Sequence, residues 1–327
     1  MKLLYHPNFL EHKVLTSYLE NPERLDLILS EEWFVNEMDK INLGGKSIIL
    51  EKLREFREHD AVEMITKIHN DAYVQMLKEQ CQSLDVDEIS LFHMGKGYSQ
   101  ECFSRGTYES ALCSAVASVQ AGMLARKNIN CFALTRPPGH HASYDRESGF
   151  CYFNNVTISA ENLLSYGEKV LILDLDLHLG DGTLEYVEER QSENLFYLSL
   201  NHNELWPYKF PDSGKHSFNV YLPDSINDTS YINNLNKFVL ETISTFEPSI
   251  IAVSMGFDTS DIDYLNYANQ LGGGFKLTQR SYTHVKKILD ESLIPYFCVL
   301  EGGYSPESVL LGISCFIEDE LKILKRK

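Results

Sequence analysis

Positive charge is scarce in this chain. Over 327 residues, 29 Lys and Arg stand against 47 Asp and Glu, a formal net charge of -18. That sign argues against a general binder of phosphate backbones and suits a cationic substrate, so no nucleic-acid partner is expected. Long apolar runs are missing too, since charges interrupt every stretch that approaches membrane-spanning length, and no membrane partner is expected. The opening Met1-Lys2-Leu3-Leu4-Tyr5-His6 shows neither the apolar core nor the small-residue cleavage site of a secretory leader, so a cytoplasmic location is the expectation. Cys-x-x-Cys pairs are lacking. The seven cysteines (Cys81, Cys102, Cys113, Cys131, Cys151, Cys298 and Cys315) are odd in number and scattered, and are read as reduced packing residues. No repeat, low-complexity stretch or linker divides residues 1–327, which are expected to form one domain.

What is present alternates. Strands are expected at Lys2 to Tyr5 (an edge), Cys131 to Thr135, Val170 to His178, Leu195 to Leu200, Ile250 to Met255 and Tyr296 to Leu300. Helices are expected at Tyr108 to Ala125, Asn154 to Ser165, Tyr231 to Phe246 and Gln279 to Glu291, with another opening at Asn21-Pro22, charged surface helices over Glu32 to Glu79, and a loop over Gly95 to Gly106. Such alternation predicts an α/β fold with a central, mostly parallel sheet and helices on both faces. Ligands of open α/β sheets sit beyond the carboxyl ends of the strands, so the segments after each strand are the places to search.

The first of these is Val170-Leu171-Ile172-Leu173-Asp174-Leu175-Asp176-Leu177-His178. Its apolar run suits a strand buried on both faces, and from Asp174 every second residue is polar. Continued strand alternation would gather Asp174, Asp176 and His178 on one side. Two buried carboxylates need a cation or hydrogen-bond donors, although solvated acids in a capped loop would give the same pattern. Arg136-Pro137-Pro138-Gly139-His140-His141-Ala142 stiffens a loop that presents adjacent histidines. Gly256-Phe257-Asp258 puts an acid after an apolar run, which a helix cap would also explain. In Glu301-Gly302-Gly303-Tyr304, paired glycines and a phenol follow a strand, as they would in an ordinary turn.

Taken together, these blocks resemble the zinc-dependent histone deacetylase superfamily, which includes acetylpolyamine amidohydrolases and has the arginase/deacetylase-type fold. The likeness is carried in the family's order by Arg136 to Ala142, Gly149-Phe150-Cys151-Tyr152-Phe153-Asn154-Asn155, Asp174 to Gly182, Gly256-Phe257-Asp258 and Leu300 to Tyr304, with weaker matches at His6-Pro7, Pro22-Glu23-Arg24 and His69. The arginine-proline-proline form of the first block looks like class II and bacterial members. The resemblance implies that Asp176, His178 and Asp258 hold one catalytic Zn2+. It implies that His140 and His141 flank the reacting water, with Asp174 and Asp181 as their carboxylate partners, and that Tyr304 donates to the substrate carbonyl. Gly149 and Phe150 would form one wall of a substrate tunnel, Phe210 the facing wall, and Leu265 the gatekeeper. A structural K+ would be held by Asp174, Asp176, His178, Ser199 and Leu200. The implied reaction is hydrolysis of acyl-lysine side-chain amides in a peptide or protein, or alternatively of a small acylated amine such as an acetylpolyamine.

Three departures surround the entrance. Leu179 stands where the family has a polar residue, Lys215-His216-Ser217-Phe218-Asn219 replaces a Gly-rich loop, and Asn266 to Gly274 is long. Two rival readings follow. A binuclear arginase-like hydrolase would place carboxylates where Gly180 and Ser260 stand, and a non-catalytic acyl-lysine reader would not need the full set of site residues.

Overall fold

In the computed structural model, residues 1–92, 101–265 and 274–325 are described. The strands are β1 (Lys2–Tyr5), β2 (Leu50–Lys52), β3 (Ile89–Phe92), β4 (Glu101–Ser104), β5 (Cys131–Ala133), β6 (Val170–Asp174), β7 (Leu195–His202), β8 (Ser217–Leu222), β9 (Ile250–Met255) and β10 (Tyr296–Leu300). Eight make one sheet in the order β2-β1-β5-β10-β9-β6-β7-β8, and every pairing in it is parallel. The remaining two, β3 and β4, form an antiparallel pair apart from it.

The strands are apolar on both sides because both faces are covered. Val170, Ile172, Ala252, Phe297 and Val299 point to a core closed by helices Thr107–Ala125 and Asn155–Leu164. Their sequence neighbours Leu171, Leu173, Val253, Cys298 and Leu300 point to a second core under helices Asp228–Phe246, Gln279–Glu291 and Pro306–Phe316. This is the doubly covered parallel sheet that continuous apolar strands require.

Several expectations shift. β1 lies between β2 and β5 and is not an edge, because the unexpected strand β2 pairs outside it. The 32–79 region therefore holds a strand as well as helices. Part of the expected Gly95 to Gly106 loop is strand β4, while residues 95–100 fall outside the described residues, as do residues 266–273 of the long segment before Phe275. Asn21 opens a short 3-10 turn, Pro22–Leu25, before the helix Asp26–Ser30. Lys215 to Asn219 leads into β8, which supplies the far edge of the sheet. No helix among the described residues is long and apolar enough to cross a membrane.

The most consequential difference lies at β6. The strand stops at Asp174, so Asp176 and His178 are not strand residues. Two aspartate turns keep the alternation instead: Asp176 N–H donates to Asp174 Oδ1 (3.1 Å), and His178 N–H donates to Asp176 Oδ1 (2.9 Å). An Asp carboxylate that captures the amide two residues on reverses the chain locally, and here it curls three polar side chains around the sheet's carboxyl edge.

Candidate active site

Four adjacent central strands, β5, β10, β9 and β6, deliver the site from their carboxyl ends. Asp176, His178 and Asp258 come together with one ligand-competent atom from each lying within 4.8 Å of the others. His178 Nδ1 stands 3.2 Å from Asp176 Oδ1 and 3.1 Å from Asp258 Oδ2. Both carboxylates are buried, and their remaining oxygens are met by backbone: Gly302 N–H donates to Asp176 Oδ2 at 2.7 Å, and Leu177 N–H to Asp258 Oδ1 at 3.2 Å. Only glycine fits at 302, since a Cβ there would lie 2.4 Å from Asp258 Oδ2. Burial and the nearby Asp176 push Asp258 up to about 7. Burial alone would lower His178, yet its bonds to the two acids raise it to about 9. Two buried carboxylates this close favour a cation between them. Two carboxylates and one imidazole around an open side are a donor set that fits zinc.

Behind the triad stand two histidine–aspartate pairs. His140 Nδ1 lies 3.2 Å from Asp174 Oδ2, and Tyr197 hydroxyl donates to the same oxygen at 2.9 Å. His140 is buried, which disfavours its charge, but Asp176, Asp174 and Glu301 outweigh that and raise it well above the ordinary histidine range. His141 Nδ1 lies 3.0 Å from Asp181 Oδ1, whose other oxygen accepts from Lys209 Nζ at 3.0 Å. Burial and the neighbouring His140 bring His141 down to about 4, against the pull of Asp181. Gly180 carries no side chain because a Cβ would meet Asp174 Oδ2 at 2.3 Å. The position where a second metal would need a carboxylate is thus filled by the first pair.

Above these groups opens a cavity of about 250 Å3, lined by Leu19, Glu101, His141, Gly149, Phe150, His178, Trp206, Leu265 and Tyr304. Of the expected tunnel residues, Gly149, Phe150 and Leu265 line this cavity together with Tyr304. Phe210 is not among its lining residues. It is half exposed and packs edge-on against Tyr221 (5.6 Å between centroids), while Trp206 lines the cavity along with Phe150, its ring 4.4 Å from that of His141. A four-residue offset separates the two aromatic-proline pairs, Trp206-Pro207 and Phe210-Pro211, and the Trp-Pro pair is the one packed against the histidines. Ser199 and Leu200 are buried on β7; Ser199 pairs in register with Asp174, and its hydroxyl bonds Asn201 Oδ1 and Asn219 Oδ1 at 3.0 and 3.1 Å. Leu179 is a core residue.

Sequence reasoning gave no role to four other groups at the site. Glu301 Oε2 accepts from the backbone N–H of Gly139 (2.7 Å) and of His140 (3.1 Å), fixing the histidine loop, and burial raises its carboxyl to about 7. Asp263 Oδ2 accepts from Tyr304 N–H at 2.7 Å and fixes the tyrosine's backbone. Arg24 lies over the Tyr304 ring, 5.2 Å from its centroid, and Lys209 holds Asp181. Of these, only Glu301, an acid directly following an apolar strand, carried a sequence signal.

The histone deacetylase domain model matches residues 18–318. A probable deacetylase of Archaeoglobus fulgidus is 28% identical over 323 residues, covering 94% of this chain and 82% of that protein. An acetylpolyamine amidohydrolase of Mycoplana ramosa is 30% identical over 232 residues, 66% of this chain and 64% of that protein. Among solved structures, the HDA15 HD domain superposes with a TM-score of 0.80 at 25% identity, covering 98% of this chain and 91% of that one. The fold and site define a hydrolytic amide deacetylase. The chain belongs to the histone deacetylase family.

Proposed function

We propose that this chain removes acetyl or other acyl groups from the side-chain amide of lysine, with one zinc ion held by Asp176, His178 and Asp258. The observation that carries this reading is the placement of the triad, two histidine–aspartate pairs and Tyr304 at the inner end of a largely apolar cavity. When bound, zinc supplies Lewis acidity toward the amide carbonyl and toward a water whose pKa falls from 15.7 to about 7.

The protein's own groups do the rest. Asp181 accepts from Nδ1–H of His141 and so leaves Nε2 free to take a proton from the water and return it to the departing amine. The low basicity of buried His141 keeps it neutral and able to accept. His140, held by Asp174 through Nδ1, tunes the field around the reacting carbonyl. Tyr304 keeps its phenolic proton, because burial raises its pKa well above the ordinary value, and donates it as a hydrogen bond to the carbonyl oxygen as negative charge develops there. Phe150 and Trp206 hold the apolar stem.

A structural K+ at Asp174, Asp176, His178, Ser199 and Leu200 is part of the proposal, supported by the register pairing of Asp174 with Ser199 and by the burial of both acids. Acetylpolyamines are the second reading. The Mycoplana ramosa relative and the acidic composition favour them, whereas the apolar Leu265 at the cavity wall favours a neutral stem. The test is a side-by-side activity panel of acetyl-lysine peptides, longer acyl-lysines and acetylated polyamines on zinc-loaded protein. Highest kcat/KM on an acyl-lysine supports the first reading, highest on a polyamine the second, and hydrolysis of none contradicts both.

A further inference from the structure

The Phe150 wall is built in an unfavourable backbone conformation. Gly149 and Phe150 have φ of +54° and +69°, and they connect Ser148 to Cys151, whose amides and carbonyls bond each other at 3.0 and 2.9 Å. Two consecutive positive φ values are the demand of a tight two-residue hairpin, which favours Asn-Gly or Gly-Gly. A phenylalanine in the second place is disfavoured, because its Cβ crowds the following carbonyl oxygen. Such a conformation persists only where the surroundings over-determine it.

Three separate segments do that here. Glu101 of β4 is fully buried, and its Oε2 accepts from Phe150 N–H at 3.0 Å and from the Tyr18 hydroxyl at 2.6 Å. The Tyr18 ring packs edge-on against Phe150 (5.0 Å between centroids), and its hydroxyl oxygen accepts from Cys102 N–H at 3.3 Å. On the far side, Gly149 is wedged against the facing wall, since a Cβ there would lie 2.6 Å from Trp206 Cη2.

We propose that Glu101 is a positioning residue that sets tunnel width: by anchoring the Phe150 amide and Tyr18 together, it restricts the site to amides with slender, unbranched stems. The proposal rests on amide hydrolysis in this cavity and narrows its substrate class. Without the carboxylate, the hairpin loses the acceptor at its tip and Phe150 is released from its left-handed conformation. The slot against Trp206 then widens and grips a linear chain less well. Glutamine, which keeps an acceptor oxygen at the same reach, should preserve the clamp.

The test compares N-pentylacetamide with N-(cyclohexylmethyl)acetamide on zinc-loaded wild type, Glu101→Ala, Glu101→Gln and Tyr18→Phe, reading kcat and KM separately and binding by Trp206 fluorescence. Wild type should prefer the linear stem by about a hundredfold in kcat/KM. Glu101→Ala should raise KM for the linear amide about tenfold and bring the preference to about tenfold or less, with the effect on KM rather than kcat. Glu101→Gln should recover most of it, and Tyr18→Phe should fall between. An unchanged preference in Glu101→Ala, a loss confined to kcat, or a Gln variant as impaired as Ala would overturn the proposal. If Glu101→Ala does not fold, the Gln and Tyr18→Phe variants decide. Should wild type hydrolyse neither amide, the clamp is judged on the binding preference alone, and the deacetylase reading fails only if the acyl-lysine and polyamine panel is not hydrolysed either.

Discussion

The two histidine–aspartate pairs are neighbours in space, yet their surroundings shift the two imidazoles in opposite directions. His140 shares its region with Asp174, Asp176 and Glu301, and is drawn toward the charged form. His141 faces the cavity, has a single acid for a partner, and sits beside the positive field of His140, so it stays neutral to about 4. Asp181 is itself divided between His141 and Lys209. In the proposed mechanism these adjacent residues of one loop serve as an electrostatic stabiliser and a proton acceptor, because buried charge is set by the count of nearby acids rather than by residue type.

That contrast can be broken in order of effect. Replacing the proposed acceptor in His141→Ala should lower kcat by about 10²–10⁴, and more than His140→Ala does, in steady-state assays with zinc content checked. Next, Tyr304→Phe should cost about 10²–10³ in kcat while zinc stays bound, and wild-type turnover would remove Tyr304 from the account. Asp181→Asn should cost about 10–100-fold, since the imidazole loses its orienting partner. The smallest effect is expected from Lys209→Met. Without its ammonium, Asp181 acts fully on His141 and raises its pKa, so the acidic limb of the pH–rate profile should move to higher pH. A limb that stays or moves down would show that Lys209 does not tune the pair.

A third histidine sharpens the comparison through stability. His69 Nδ1–H donates to Ser143 O at 2.8 Å, and its Nε2 accepts from Asn154 N–H at 2.9 Å, so two backbone groups demand the neutral ring. Burial lowers it to about 4 from an ordinary 6.5. The folded pKa lies below the unfolded one, so this contribution is complete above pH 6.5 and is lost as pH falls toward 4, by about 3 kcal/mol in all. In His69→Gln, chemical denaturation should show a smaller stability loss over that pH window than in wild type.

Most of the site could be seen in the sequence because its residues sit at the ends of strongly apolar strands. β9 and β10 and the helix Gln279–Glu291 end where periodicity and capping residues say they should. The period of two that groups Asp174, Asp176 and His178 suggests a continuing strand, but beyond Asp174 it is produced by aspartate turns. The family resemblance puts Phe210 on the facing wall through the block Phe210-Pro211-Asp212-Ser213-Gly214, but Trp206-Pro207 lies close by and competes for the same alignment. Only packing against His141 and Gly149 distinguishes them. Strands β2 and β8 escaped notice because they are short or follow a charged, irregular run. Glu101 and Lys209 act through partners distant in sequence, Phe150 and Asp181, and nothing local marks them.

The proposed single metal-dependent deacetylation centre at Asp176, His178 and Asp258 is tested most directly by titrating metal-free protein with zinc while measuring acetate released from an acetyl-lysine peptide. Acetate formation should rise to a plateau at about one zinc per chain, the stoichiometry of a single three-ligand site. A plateau at two, or acetate release that needs no zinc, would contradict it.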